Sequence, residues 1–123
     1  MTVTSEATFP KSKRLLNAKD YSDVFDGVDI KISTQYFLCL ARKRSKPAPC
    51  RLGIIVAKKN VRLAVKRNRI KRLLRENFRL STTQLPEYDL VMMAKRNSGE
   101  TESEKLSKEL QYIWRKLKQR AKS

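Results

Sequence analysis

The sequence predicts a single small α+β domain, and three observations predict it. The chain has 123 residues, the size of one ordinary domain, and 40% of them are apolar, enough for one modest core. Its apolar residues fall into short extended runs alternating with amphipathic helical stretches, in the order helix, strand, strand, helix, strand, helix. No internal repeat or low-complexity block divides them, so helices packing on a small central sheet is the expected architecture. The domain is expected over residues 14–120, after a polar arm at 1–13 and before a short tail at 121–123.

The first helix carries several agreeing signals. Asn17 is a good N-cap, Asp20 occupies the third helical position, and Leu16 can staple onto Tyr21. Tyr21, Val24 and Phe25 share one face, and Gly27 closes the helix. Residues 30–32 and 36–41 are β-branched and aromatic, and read as one long strand with a kink. A basic loop with Pro47 and Pro49 follows. Residues 51–57 alternate Leu52, Ile54 and Val56 with Gly53, Ile55 and Ala57. Being apolar on both faces, this strand is expected at the centre of the sheet, in an antiparallel hairpin with residues 36–41.

The next helix puts Ile70, Leu73, Leu74 and Phe78 in one sector, with Asn68, Lys71, Arg72, Arg75 and Arg79 opposite. Val65 does not fit the apolar sector, so regular helix is expected from about Lys66, with residues 60–64 as a lead-in turn. Arg67 projects toward the apolar side, where only its aliphatic stem belongs. Pro86 breaks the chain before a third, largely apolar strand at 88–94. Thr101 with Glu104 forms a capping-box pattern, and Leu106, Leu110, Ile113, Trp114 and Leu117 keep helical spacing into a basic C-terminus.

Charge dominates the functional reading. Twenty-nine Lys and Arg against 12 Asp and Glu leave a net charge of +17, which calls for a polyanionic partner. The chain has no histidine, which excludes a histidine general base, a Ser-His or Cys-His pair and a His-ligated zinc. Two cysteines are too few for a disulfide framework or a Cys₄ site; Cys39 reads as a buried small hydrophobe and Cys50 as a loop thiol in a reducing cytosol. Gly27, Gly53 and Gly99 are too dispersed for a phosphate loop. With no signal-like N-terminus and no long apolar run, a cytoplasmic protein is expected.

Residues 58–79 hold ten Lys or Arg against one acid, Glu76. The stripe from Asn68 to Arg79 extends roughly 16 Å at the α-helical rise, enough to meet several backbone phosphates. Arg presents a planar fork to phosphate, and Asn can donate to phosphate or sugar. The plain alternative is a solvated face, although such faces usually mix signs. Tyr21 and Phe25 could stack on unpaired bases, but their spacing by itself favours core packing. Asp20, Asp23, Asp26 and Asp29 recur every third residue, which suits a polar helix face better than a cation site. Glu76 is expected to pair with a nearby Arg.

The segment Arg51-Leu-Gly-Ile-Ile-Val-Ala-Lys-Lys, followed by Ala64-Val65-Lys66-Arg67-Asn68-Arg69-Ile70-Lys71-Arg72 and Arg75-Glu76, resembles the RNR signature of the bacterial ribonuclease P protein family. Arg14-Leu15, Tyr21 and Val24-Phe25 extend the resemblance over residues 13–117. It implies a protein subunit whose RNA partner hydrolyses the 5′ leader from precursor tRNA, using Mg²⁺, with no catalytic or metal-binding residue assigned to the protein and no obligatory protein partner. It further implies that Arg67, Asn68, Arg69, Lys71, Arg72 and Arg75, with Arg79 extending the stripe, contact the catalytic RNA. Tyr21, Phe25 and Lys58 would bind the leader, and the strand–helix–strand crossover would be left-handed, against the usual rule. Tyr21 stands where the family often has Phe, and Cys39 where some members carry an aromatic. The rival reading is a structural ribosomal-RNA-binding protein without catalysis.

Overall fold

The computed structural model describes residues 14, 15, 17–44, 50–81 and 87–122. The expected N-terminal arm, the Leu16 staple and Pro86 lie outside them. Helix α1 spans Ala18–Asp26, strand β1 Ile30–Ser33, β2 Phe37–Lys43, β3 Arg51–Ile55, helix α2 Ala64–Ser81, β4 Tyr88–Ala94 and helix α3 Ser103–Lys122, with a 3₁₀ turn at Ser98–Glu100. Asn17 caps α1 by accepting from the Asp20 N–H at 2.9 Å, and Gly27 ends it by donating to the Val24 carbonyl at 3.2 Å.

The four strands lie in the order β1-β2-β4-β3. β1/β2 and β2/β4 are antiparallel, whereas β3 and β4 run parallel across α2. The α-β-β-α-β-α order holds with the first extended stretch counted once, but that stretch is a hairpin, with Ile32 opposite Cys39, and not one kinked strand. Its turn has no Gly or Pro to announce it. Thr34 makes it instead: the Thr34 hydroxyl accepts from the Phe37 N–H at 3.2 Å and donates to Glu109 Oε1 of α3 at 2.6 Å. The same carboxylate oxygen accepts the Tyr36 N–H at 3.0 Å.

The expected hairpin between β2 and β3 does not form, and β3 is not central. The two strands do run in opposite directions, but β4 lies between them. β4 is almost continuously buried and takes the inner place. β3 reads as central because its outer edge is covered by other means. Arg14 bridges to Leu52, the Leu15 N–H donates to the Leu52 carbonyl at 3.1 Å, and the Ile54 N–H donates to the Tyr21 hydroxyl at 3.3 Å. An edge strand whose backbone groups are satisfied this way has no need of polar side chains.

Each sheet face has its own core. Phe37, Cys39, Ala41, Leu52, Leu90 and Met92 meet Ile70, Leu74 and Phe78 of α2 and Leu106, Leu110, Ile113, Trp114 and Leu117 of α3. On the other face Leu40 and Val91 meet Leu15 and Val24. The α3 periodicity therefore points inward as expected, with Phe78 and Trp114 in an edge-on ring contact. Cys50 does lie outside the strands, just before β3, but it is buried there because it joins the larger core. Burial, with electrostatic repulsion from Cys50 as a smaller contribution, pushes the Cys39 thiol well up.

Two helix starts differ from expectation. α2 begins at Ala64, and Val65 is simply 72% exposed in its first turn. The backbone N–H groups of Lys66 and Arg67 already donate to the Leu63 carbonyl. α3 opens at Ser103, and the Thr101 hydroxyl donates to the Asn97 carbonyl at 2.8 Å to close the preceding 3₁₀ turn. The proposed Thr101 cap is thus displaced by a turn that uses the same hydroxyl.

Candidate nucleic-acid interface

Burying Ile70, Leu74 and Phe78 turns the opposite side of α2 to solvent. Asn68, Arg72 and Arg75 are exposed there, with Lys71 and Arg79 partly covered. Glu76 pairs with Arg79 at 2.8 Å, leaving the one acid of the segment spent on a neighbouring turn. Arg67 and Arg69 behave differently. Arg67 Nη1 donates to the carbonyls of Val61 and Arg62 at 3.1 and 2.8 Å, which explains its inward direction. Arg69 donates to the carbonyls of Gly99 and Thr101 and to the Ser103 hydroxyl, all within 3.1 Å. Arg67 thus holds the turn that leads into α2, and Arg69 holds the 3₁₀ turn and the start of α3.

Tyr21 packs closely on β3. A Cβ at position 53 would stand 2.7 Å from the Tyr21 ring, so glycine is required for this approach. Phe25, one turn on, is 44% exposed and does not join the core. The partly covered Leu38, Ile55 and Met93 flank the α1 side of the sheet. Lys58 is exposed shortly beyond β3. A cavity of about 160 Å³ is lined by Arg14, Tyr21, Ile54, Lys71 and Arg75 among others. It brings the aromatic helix and the cationic helix together along the edge of β3.

Three of the four aspartates have local partners: Asp23 pairs with Lys19 at 3.2 Å, Asp20 lies 3.8 Å from Arg51, and Asp29 accepts the Lys43 N–H at 2.8 Å. Among the described residues no group of three or more carboxylate or cysteine side chains could hold a metal ion. Asp89, which the apolar look of its strand concealed, is 5% exposed on β4. Its register partner Arg51 grips it with two bonds of 2.9 and 2.8 Å, and Arg44 stands at 3.7 Å. Hydrogen bonding to Asp89 raises the Arg51 pKa, partly opposed by desolvation. Since Arg51 also faces Asp20, this network ties α1 to the sheet. The one signal available in advance was a lone acid within an apolar strand of a strongly basic chain.

Fold and surface together define a small basic RNA-binding protein. The profile of the ribonuclease P family matches residues 9–118. The ribonuclease P protein component of Acinetobacter baylyi is 46% identical over 115 residues, covering 94% of this chain and 87% of the relative. That of Pseudomonas paraeruginosa is 43% identical over 109 residues, covering 89% and 80%. The ribonuclease P protein of Thermotoga maritima superposes with a TM-score of 0.72 at 28% identity, covering 86% of this chain and 96% of that one. A Staphylococcus aureus ribonuclease P protein mutant gives 0.81 at 22% identity, covering 92% and 93%, which bears on the fold.

The chain belongs to the ribonuclease P protein family. It is accordingly the protein subunit of a tRNA-processing ribonucleoprotein enzyme and pairs with the ribonuclease P RNA; the ribosomal alternative is not favoured. No described helix is long and apolar enough to cross a membrane.

Proposed function

We propose that this protein clamps the catalytic RNA with the cationic side of α2 and holds the 5′ leader of precursor tRNA beside α1, while hydrolysis is carried out by the RNA. Asn68, Lys71, Arg72, Arg75 and Arg79 contact RNA phosphates and sugars, releasing counterions as they do so. Arg67 and Arg69 add charge while shaping the neighbouring loops. Tyr21, Phe25 and Lys58 take the single-stranded leader, Phe25 by stacking and Lys58 as a cation. Mature tRNA lacks a leader, so the contact favours substrate over product.

The observation that carries this reading is the cavity shared by Tyr21, Lys71 and Arg75, which makes the two RNA contacts adjacent. A chain without histidine has little means for acid–base hydrolysis at neutral pH, which supports placing the chemistry in the RNA. Mg²⁺ is assigned to the RNA as well, because Asp20, Asp23 and Asp29 are already engaged with cations or a backbone amide and do not fit a magnesium site.

Two substitutions test the two contacts separately. Arg72→Glu with Arg75→Glu should weaken binding of the catalytic RNA and flatten the dependence of log affinity on log salt; an unchanged slope contradicts the clamp. Phe25→Ala should weaken holoenzyme binding of precursor tRNA more than of mature tRNA, by about 1–3 kcal/mol, the range for one base–aromatic stack. Equal losses on both would mark a folding defect and remove Phe25 from the leader site.

A further inference from the structure

A second cationic concavity lies off the α2 stripe, at the point where the chain enters α2. Its volume is about 510 Å³, within the range of ligand-binding clefts. Three separate segments build it. Lys59 and Arg62 come from the turn after β3, Lys66 from the first turn of α2, and Arg96 from the connection after β4. The one carboxylate on its wall, Glu100, is engaged with Lys66 at 2.6 Å. Leu63, 56% exposed, adds an apolar wall.

Bringing four cations around one hollow costs repulsion, and the fold spends several bonds to keep them there. Arg67 holds the Val61 and Arg62 carbonyls, Arg69 holds those of Gly99 and Thr101, and the Asn60 amide donates to the Ala94 carbonyl at 3.1 Å. The wall at Gly99 meets Val61 so closely that an added Cβ would stand 2.9 Å from it. The turn between β4 and the 3₁₀ segment passes through Asn97 at φ 69°, a left-handed conformation that asparagine tolerates. The cations are therefore presented from a braced frame.

We propose that this concavity is a distinct binding site for a phosphodiester segment of the catalytic RNA, with Lys59, Arg62 and Arg96 meeting phosphates and Leu63 packing against a ribose or base. The partner follows from charge complementarity and rests on the reading that α2 faces the same RNA. In this arrangement the two arginines of the Arg67-Asn68-Arg69 signature act by bracing the hollow, and the RNA contact extends beyond α2 to the connection after β4.

The test is the salt dependence of catalytic-RNA binding by the full-length protein. Arg62→Gln with Arg96→Gln should reduce the slope of log affinity against log salt by about 1.5, as expected for two lost phosphate contacts, whereas Arg62→Lys with Arg96→Lys should retain it. Arg72→Glu with Arg75→Glu serves as the reference for the α2 face. If the reference flattens the slope and the glutamine pair leaves it unchanged, the concavity is not an RNA site and the α2 reading stands. Should neither pair alter the slope, both assignments fail. A glutamine pair that weakens precursor tRNA binding by the holoenzyme while leaving assembly with the catalytic RNA intact would overturn the choice of partner.

Discussion

The hydroxyl of Tyr21 accepts from the Ile54 N–H while its ring covers Gly53, so this side chain closes the free edge of β3 and presents an aromatic surface in one residue. Helical spacing alone favours core packing for both Tyr21 and Phe25. The structure separates them: Phe25 is half in solvent, and Tyr21 is partly committed to the sheet. Tyr21→Phe removes the hydroxyl and keeps the ring. It should cost about 1 kcal/mol, the net worth of one hydrogen bond, in urea unfolding, with preference for precursor over mature tRNA retained. A lost preference at unchanged stability would show that the hydroxyl serves RNA and not the strand edge.

At the scale of elements, the amphipathic helices were legible because periodicity reports burial directly, and α2 and α3 turn inward the residues expected of them. Strand neighbours were not legible. β3 looks central from its side chains, yet the bonds that cover its edge come from Leu15 and Tyr21, distant in sequence. The β1–β2 turn was hidden for a similar reason, since its anchor, Glu109, lies on the last helix. The same limit concealed Arg67 and Arg69, whose partners are backbone carbonyls in loops. The Arg51–Asp89 pair joins β3 to β4 and, through Asp20, to α1. Arg51→Met removes the closest described cation from the buried Asp89, leaving Arg44 at 3.7 Å, and should destabilise by about 3 kcal/mol, the low end for breaking a buried pair, because Arg51 is partly in water. Chemical denaturation measures it; a loss under about 1 kcal/mol would mean that the network is a surface pair in energetic terms.

For the whole molecule, a net charge of +17 is both the functional asset and a source of self-repulsion. Ten of its cations fall in residues 58–79: Lys71, Arg72, Arg75 and Arg79 lie on the outward side of α2, Lys59, Arg62 and Lys66 line the hollow at its start, Arg67 and Arg69 brace the neighbouring loops, and Lys58 is exposed beyond β3. Anions that bind the native state should therefore stabilise it: the melting temperature should rise with sulfate or phosphate above that in chloride at matched ionic strength. Indifference to the anion would mean that the cations are dispersed too widely to form sites. Reconstitution of leader removal from precursor tRNA decides whether this protein assists an RNA that performs the cleavage. Cleavage is expected when protein and cognate RNA are combined and not with the protein alone; leader removal by the purified protein without RNA would place the chemistry in the protein.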